Sequence, residues 1–527
     1  MASCRIGFAS VSFALTAVVA AAQIEPTTVV VTNTTMVVNG ATGDIPSLIA
    51  SPGADGISFA EALKAANGTS GPKLITFSPD LINKSIQVTA NEDERELFVI
   101  ETIDLTIDGD IDRDGQPDIS FVAARDSNVE FVIRSSHATI HGIKLFLNSP
   151  NPGIVASCAD LNCDFGLILD PHITGNEIEN LHGSAIQIGA EVVRAVDVPY
   201  LRPVVYDDVL ISGNTIHVTD TAISIAPSVD GVSGTRSRNL VIEKNTITAD
   251  TGVRATTAHR FSPPMFTDDN LIDGLTIRQN TFDTSGSAIQ VFAADYGNSN
   301  NRITGLQITD NVIRGSRNGI EVASTMDGKA QRVGTGNVVD NVTIASNQVT
   351  AKDRGITISG ADLPLIDTQA IGFESNRVEH VLIRDNTVGG YSDSGVRVWG
   401  GFANAGVFPL TVRRNVVEDV TVSANTITGA SKQAIGIAVF GGESRGGAVR
   451  ENAVRAVSIR ANRLSGNGIG VLFAGGMGSQ AQSNTVDVLH FDANVLEAND
   501  VGVAATENSD SAAGNAVRFP RRRLAGR

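Results

Sequence analysis

The chain has 527 residues, of which 57 are Asp or Glu and 40 Lys or Arg, giving a formal net charge of −17. So acidic a surface argues against nucleic acid as a partner, because phosphate binding needs a basic footprint. It also disfavours polyanionic sugars unless a cation bridges the charges.

Residues Met1 to Arg5 precede an apolar run, residues 6–20, and a small-residue Ala20-Ala-Ala22 site. This reads as a secretory signal peptide over 1–22, with Gln23 starting the mature chain. The run is too short for a membrane anchor, and no later stretch is long and apolar enough to span. The expected location is outside the cytoplasm: secreted, at the cell surface or in the periplasm. Of the cysteines left after removal of Cys4, Cys158 and Cys163 close a six-residue loop, expected to be a disulfide in an oxidising compartment.

Residues 23–73 hold a β-prone stretch, 27–38, and then a helix over 55–67 with Ser58 as N-cap and Glu61 completing a capping box. Ile57, Phe59, Ala62, Leu63 and Ala66 can share one apolar face, as in a helix that caps an open stack of strands. Residues 74–163 carry irregular strands at 74–77, 85–88, 97–100, 104–107, 119–123, 131–134 and 138–145. Between them lies the sharpest local motif, Asp110-Ile-Asp112-Arg-Asp114-Gly-Gln-Pro-Asp118. Carboxylates at alternate positions before a glycine suit a hard cation such as calcium, because oxygen ligands must converge. Asp110, Asp112, Asp114 and Asp118 are the expected ligands, and a polar hairpin is the alternative.

From residue 164 to 519 one phrase recurs. Its asparagines are Asn176, Asn214, Asn245, Asn280, Asn311, Asn347, Asn386, Asn425, Asn462 and Asn494, at gaps of 31 to 39 residues. Asn270, Asn301, Asn337, Asn376, Asn415, Asn452 and Asn484 stand ten residues ahead of the last seven, and Asn515 opens a further copy. Apolar and polar residues alternate between each pair, the period of a strand with one buried face. No window of helical periodicity supports an α-solenoid, and each repeat has too few strands for a propeller blade. A coil that returns to its starting azimuth remains, with identical residues stacked about 4.8 Å apart. Asparagine suits its corners through left-handed backbone geometry and through side-chain bonding along the stack. Pro520 ends the last strand, and 520–527 form a basic tail containing Arg521, Arg522, Arg523 and Arg527.

This pattern resembles the right-handed parallel β-helix proteins of the pectate-lyase-like superfamily, from about residue 74 onward. The fold class expected is all-β: a single-stranded right-handed parallel β-helix, or solenoid, with an N-terminal amphipathic cap helix. The Ser-x-x-Glu-Ala helix is similar to the start of bacterial secreted or surface β-helix proteins.

In the second strand of each coil, of the form Gly/Ala-Ile/Val-x-Val/Ile, the middle residue points away from the core. It is read as Gln187, Ser224, Arg254, Gln290, Glu321, Thr357, Arg397, Gly436, Gly470 and Gly502 up the stack. Phe292 and Trp399, two positions on, point outward, where an exposed aromatic beside Arg397 would stack on a sugar ring; for Trp399 the alternative is packing over the glycine-rich loop Gly400-Gly-Phe402. At the preceding corner, Asp220, Asp250, Asp353 and Asp393 share a column. Asp353 and Asp393 come from neighbouring coils, close enough for unlike proton affinities. Arg317 below and Lys432 above could instead make this a compensated surface ladder. Asp170-Pro-His172 resembles the Asp-Pro-His of mannuronan C5-epimerases, but Asn176 follows too soon and the tyrosine-glycine context is missing, so no function is placed on it.

Two readings of function follow. One is a secreted or cell-surface protein associated with a polysaccharide or surface glycan, at the limit a non-catalytic adhesin or matrix rod. The other is a polysaccharide lyase, glycoside hydrolase or uronan epimerase working over the middle coils. Its candidate catalytic residues are Asp353, Asp393, Arg397 and Glu321, with Trp399, Gln290, Arg254 and Phe292 binding substrate. A lyase would use Arg397 or Arg254 near a bridging cation. Apart from calcium, no cofactor is expected.

Overall fold

The computed structural model describes residues 25–88, 98–123, 129–157, 166–189, 203–229, 232–259, 266–295, 297–326, 333–363, 372–404, 411–508 and 514–520. The expected signal peptide, the Cys158–Cys163 loop and the arginines after Pro520 lie outside these residues.

Parallel pairing of successive coils builds the molecule. Leu275 stands opposite Leu306, Leu306 opposite Val342, and the column continues through Val381, Val420 and Val457. On another face Ile289, Ile320, Ile356, Val396, Ile437 and Val471 stack in the same manner. These side chains are buried and face one another along the axis of the coil. Each contributes roughly 1.5–3 kcal/mol by leaving water. The chain is a right-handed parallel β-helix of about 11 turns, with two long sheets and a shorter five-stranded one.

Two helices precede the coils: α1 (Ile45–Ala50) and α2 (Phe59–Asn67). In α2 the backbone N–H of Glu61 donates to Ser58 Oγ at 3.2 Å, and that of Ser58 donates to Glu61 Oε2 at 2.9 Å. These reciprocal bonds satisfy donors that a helix start leaves open. Phe59 lies 4.8 to 6.0 Å from the rings of Phe77, Phe98, Phe121 and Phe131, so the helix packs on an aromatic cluster of the first coils.

Both asparagine series form continuous buried ladders. The backbone N–H and Nδ2 of Asn311 both donate to Asn347 Oδ1 at 3.0 Å. Asn347 Nδ2 in turn donates to Asn386 Oδ1 and to the carbonyl of Ile308, both at 2.9 Å. The second series repeats this scheme from Asn270 to Asn515, and Thr235 supplies its first donors. The asparagines themselves do not adopt the left-handed backbone that the sequence pattern assigned to them. The preceding residue does: Lys244, Gln279, Asp310, Ser346, Asp385, Ala424, Ala461 and Ala493 all have φ near +55°. The turn is made one position earlier, which frees the asparagine to aim its amide along the axis.

The outward column also departs from expectation in the last coils. Arg397 stands opposite Ala438, Ala438 opposite Leu472 and Leu472 opposite Ala504. Gly436, Gly470 and Gly502 are therefore two positions out of register with Arg397. Ala434-Ile-Gly-Ile437 and Gly436-Ile-Ala-Val439 both satisfy the strand phrase, and packing selects the second, which buries Ile437 and Val439.

Candidate functional site

Beyond Trp399 the chain bends back over its own outward face. Asp362–Leu363 pairs in parallel with Phe402–Ala403, and Phe402–Ala403 pairs with Glu443-Ser444. The tight approach needs glycine at its pivot: a Cβ on Gly400 would meet the Gly441 carbonyl oxygen at 2.4 Å and the Ala453 nitrogen at 2.7 Å. This outer layer overturns the expectation that Phe292 is exposed and, for Trp399, selects packing on the Gly400-Gly-Phe402 loop over exposure. Trp399 is 0% exposed and stacks on Phe402, with ring centres 4.6 Å apart and planes 6° from parallel. Phe292 is equally buried, against Ala323 and Met326. An aromatic two positions from an outward residue does point away from the core here, but a second layer covers it.

The rim of that layer and the coil corners enclose a cleft of about 460 Å³, lined by Gln290, Arg317, Glu321, Asp353, Arg354, Asp362, Asp393, Phe402 and Arg445 among others. Of the expected site residues, Gln290, Glu321, Asp353 and Asp393 share this cleft. Glu321 Oε2 accepts from Ser287 Oγ at 2.6 Å and from Gln290 Nε2 at 2.9 Å. Asp353 and Asp393 lie on adjacent coils, joined by a backbone bond from Asp393 N–H to the Asp353 carbonyl at 3.0 Å. Arginines claim both side chains. Arg317, largely exposed, lies 3.8 Å from Asp353. Asp393 Oδ2 accepts from Arg354 Nε at 3.0 Å and also from Arg397 Nη1.

Arg397 is not available to a ligand. It is 3% exposed, pairs with Asp393 and, at 3.2 Å, with Glu443, and lies over the rings of Trp399 and Phe440. Burial pulls its guanidinium below the usual value, against the pull of Glu443 and Asp393. Arg254 lies over Phe292, 3.7 Å from the buried Asp295. Neither lines the cleft, so both belong to the packing beneath and beside it.

The sequence pattern missed a buried acid of this cleft. Asp362 is 2% exposed and lines the cleft. Burial raises its pKa to about 7; Arg354 and Arg397 act against that rise, and Glu321 and Glu443 add to it. Its Oδ1 has no hydrogen-bond partner among the described residues, nor have the buried Thr357 Oγ1, Ser359 Oγ and Trp399 Nε1. Arg354 completes the arrangement, 5.0 Å from the Trp399 ring centre and 6.0 Å from that of Phe402. The only sequence cue to Asp362 is its place two residues beyond Gly360, where the strand bends out.

At the other end, the acidic loop places carboxylate oxygens of Asp110, Asp112 and Asp118 within 4.8 Å of one another. Asp114 lies outside that group. Its carboxylate instead accepts from Gln116 N–H at 2.8 Å. Asp110 accepts from the backbone of Asp114 and Gly115, and Asp118 from Ile111 and Asp112. The turn is thus shaped by its own carboxylates. Partial desolvation and the neighbouring acids hold Asp112 above the ordinary carboxylate value.

Parallel pairing of every described strand, with matched residues from coil to coil, decides the class of architecture. The chain is a parallel β-helix. No protein-family model matches the sequence, and no curated protein matches it. Among solved structures, this β-helix is similar to an exopolygalacturonase from Thermotoga maritima, at 13% identity and a TM-score of 0.31 over 69% of this chain and 84% of that one. The A-module of a mannuronan C-5 epimerase from Azotobacter vinelandii matches at 11% identity and 0.28, over 87% and 94% of the two chains. A family 28 exopolygalacturonase from Yersinia enterocolitica matches at 8% and 0.27, over 85% and 74%. No helix of the described residues is long and apolar enough to cross a membrane.

Proposed function

We propose that this β-helix acts on a polysaccharide in the cleft over the coils of Asn311 to Asn425, by acid-assisted cleavage of a glycosidic bond. The observation that carries this reading is Asp362, a buried carboxyl whose pKa burial raises to about 7, in one cleft with Glu321, Asp353 and Asp393. Two carboxyl groups with proton affinities set apart by their surroundings are what glycoside hydrolysis requires. Asp362 would protonate the leaving oxygen. Asp393 or Glu321 would serve as the second carboxylate, and Gln290 and the exposed edge of Arg317 would contact sugar hydroxyls. Lyase chemistry through Arg397 or Arg254 is disfavoured, since neither lines the cleft and both lie against buried carboxylates.

Export from the cytoplasm and calcium on Asp110, Asp112 and Asp118 belong to the same proposal, with the cation stiffening the first coils. One observation favours a glycan-binding rod without turnover: arginine pairs already occupy Asp353 and Asp393. The test is a screen of purified protein on alginate, pectate and neutral glycans, with calcium and with chelator, read by reducing ends and by unsaturated products. Release of reducing ends that Asp362→Asn abolishes supports hydrolysis. Unsaturated products in their place would make it a lyase, and binding without products a rod.

A further inference from the structure

Asp362 and Asp393 reach the cleft from different layers. Asp393 belongs to a coil corner, whereas Asp362 belongs to the outer two-residue strand that pairs with Phe402. The strand of Asp362 and the strand that follows Asp393 belong to one long sheet but are separated by the bends at Gly360 and Gly400, so straight strand register alone does not fix their relation. Arg354 connects the two layers. Its Nε donates to Asp393 Oδ2 at 3.0 Å, and its guanidinium lies against both Trp399 of the coil and Phe402 of the outer strand. Its side chain is only 13% exposed. A guanidinium resting on aromatic faces while keeping a carboxylate bond is confined in plane and in position, which an ammonium would not be.

We infer that Arg354 is the positioning residue of this site: it locks the outer strand bearing Asp362 to the corner bearing Asp393. The inference rests on the functional reading above for its purpose but not for its test. Among the charged groups around Asp362, which include Arg397, Glu321 and Glu443, Arg354 exerts the strongest opposing pull on its proton affinity. Burial opposes the charge on Arg354 itself, yet Asp362 and Asp393 outweigh burial, with Asp353 adding to them, and hold it above its usual value.

The experiment needs no substrate. The carboxyl carbon of Asp362 is followed by NMR from pH 4 to 9 in wild type, Arg354→Met and Arg354→Lys, with Asp362→Asn used to assign the resonance. Arg354→Met is expected to raise the midpoint by about one pH unit or more, and Arg354→Lys to restore part of that shift. Fluorescence of Trp399, the only tryptophan, should follow the same midpoint in wild type and lose the transition in Asp362→Asn. Unchanged midpoints in both arginine variants would overturn the inference. If Arg354→Met does not fold, Arg354→Lys decides: charge is retained, so a wild-type titration combined with unchanged Trp399 emission would show that the planar clamp does nothing. Coupling without turnover of any glycan would leave the inference standing and remove the enzymatic reading. Turnover abolished by Asp362→Asn, with no coupling to Arg354, would do the reverse.

Discussion

The corners of the coil and the cleft above it are built from the same short strands, yet they handle buried polar groups in opposite ways. At the corners, neutral amides repeat on successive coils and their donors and acceptors meet within the stack. In and beneath the cleft, charges of both signs are packed against aromatic rings, and Asp362, Thr357 and Ser359 keep side-chain atoms without partners among the described residues. Satisfied amides give stability and a fixed register. Incompletely satisfied charges cost stability and displace proton affinities, as in sites that perform chemistry. Repetition carries the fold, and the place where repetition fails carries the candidate site.

The largest effect expected is at Asp362. Asparagine there should lower glycan cleavage by about 10²–10⁴-fold, measured by reducing ends under conditions where wild type turns over. The same substitution should alter stability in the opposite direction. Because the folded-state pKa of Asp362 lies above its ordinary value, the folded chain holds this proton between about pH 4 and 7 while the unfolded chain releases it. Wild-type stability should therefore fall as pH rises through that window and level off above it, by up to about 4 kcal/mol. Denaturant unfolding at pH 5 and 8 checks this, and Asp362→Asn should flatten the difference.

A corner should respond without any pH dependence. Asn347→Ala removes the acceptor of two Asn311 donors and the amide donor to the Ile308 carbonyl and to Asn386, and should cost about 1–3 kcal/mol, seen as a lower denaturation midpoint. If its cost instead followed the pH dependence of Asp362, the two regions would not be separate systems. The smallest effect is expected at Arg317, whose pair with Asp353 is open to solvent. Arg317→Ala should change stability by less than about 1 kcal/mol and act on apparent glycan affinity rather than on the rate of the bound complex.

The coil was legible because each asparagine is a local event: the residues that bond Asn347 lie at fixed offsets in its own phrase and its neighbours'. The column of Asp353 and Asp393 was legible for the same reason. The outer layer was not, since its column of Met326, Asp362, Phe402, Glu443 and Met477 repeats in space without a shared residue type to mark it, and rests on the bends at Gly360 and Gly400. Exposure and packing over Gly400-Gly-Phe402 could not be told apart for Trp399, and Phe292 was misjudged as exposed, because alternation along a strand tells which side a residue faces and not whether another segment covers that side. The misplaced glycines of the last coils came from two overlapping matches to one phrase, a degeneracy that only burial of Ile437 and Val439 removes.

The asparagine ladders have a direction. Each Oδ1 of these two series accepts from the coil nearer the N-terminus and each Nδ2, except those of the last members Asn494 and Asn515, donates onward to the next Oδ1, so two columns of amide dipoles point the same way for most of the rod's length. Chains of aligned hydrogen bonds polarise one another, so each added coil strengthens the bonds already made. The rod is electrically polar along its axis, and a break at a middle rung would leave two shorter stacks, each polarised less strongly than the whole.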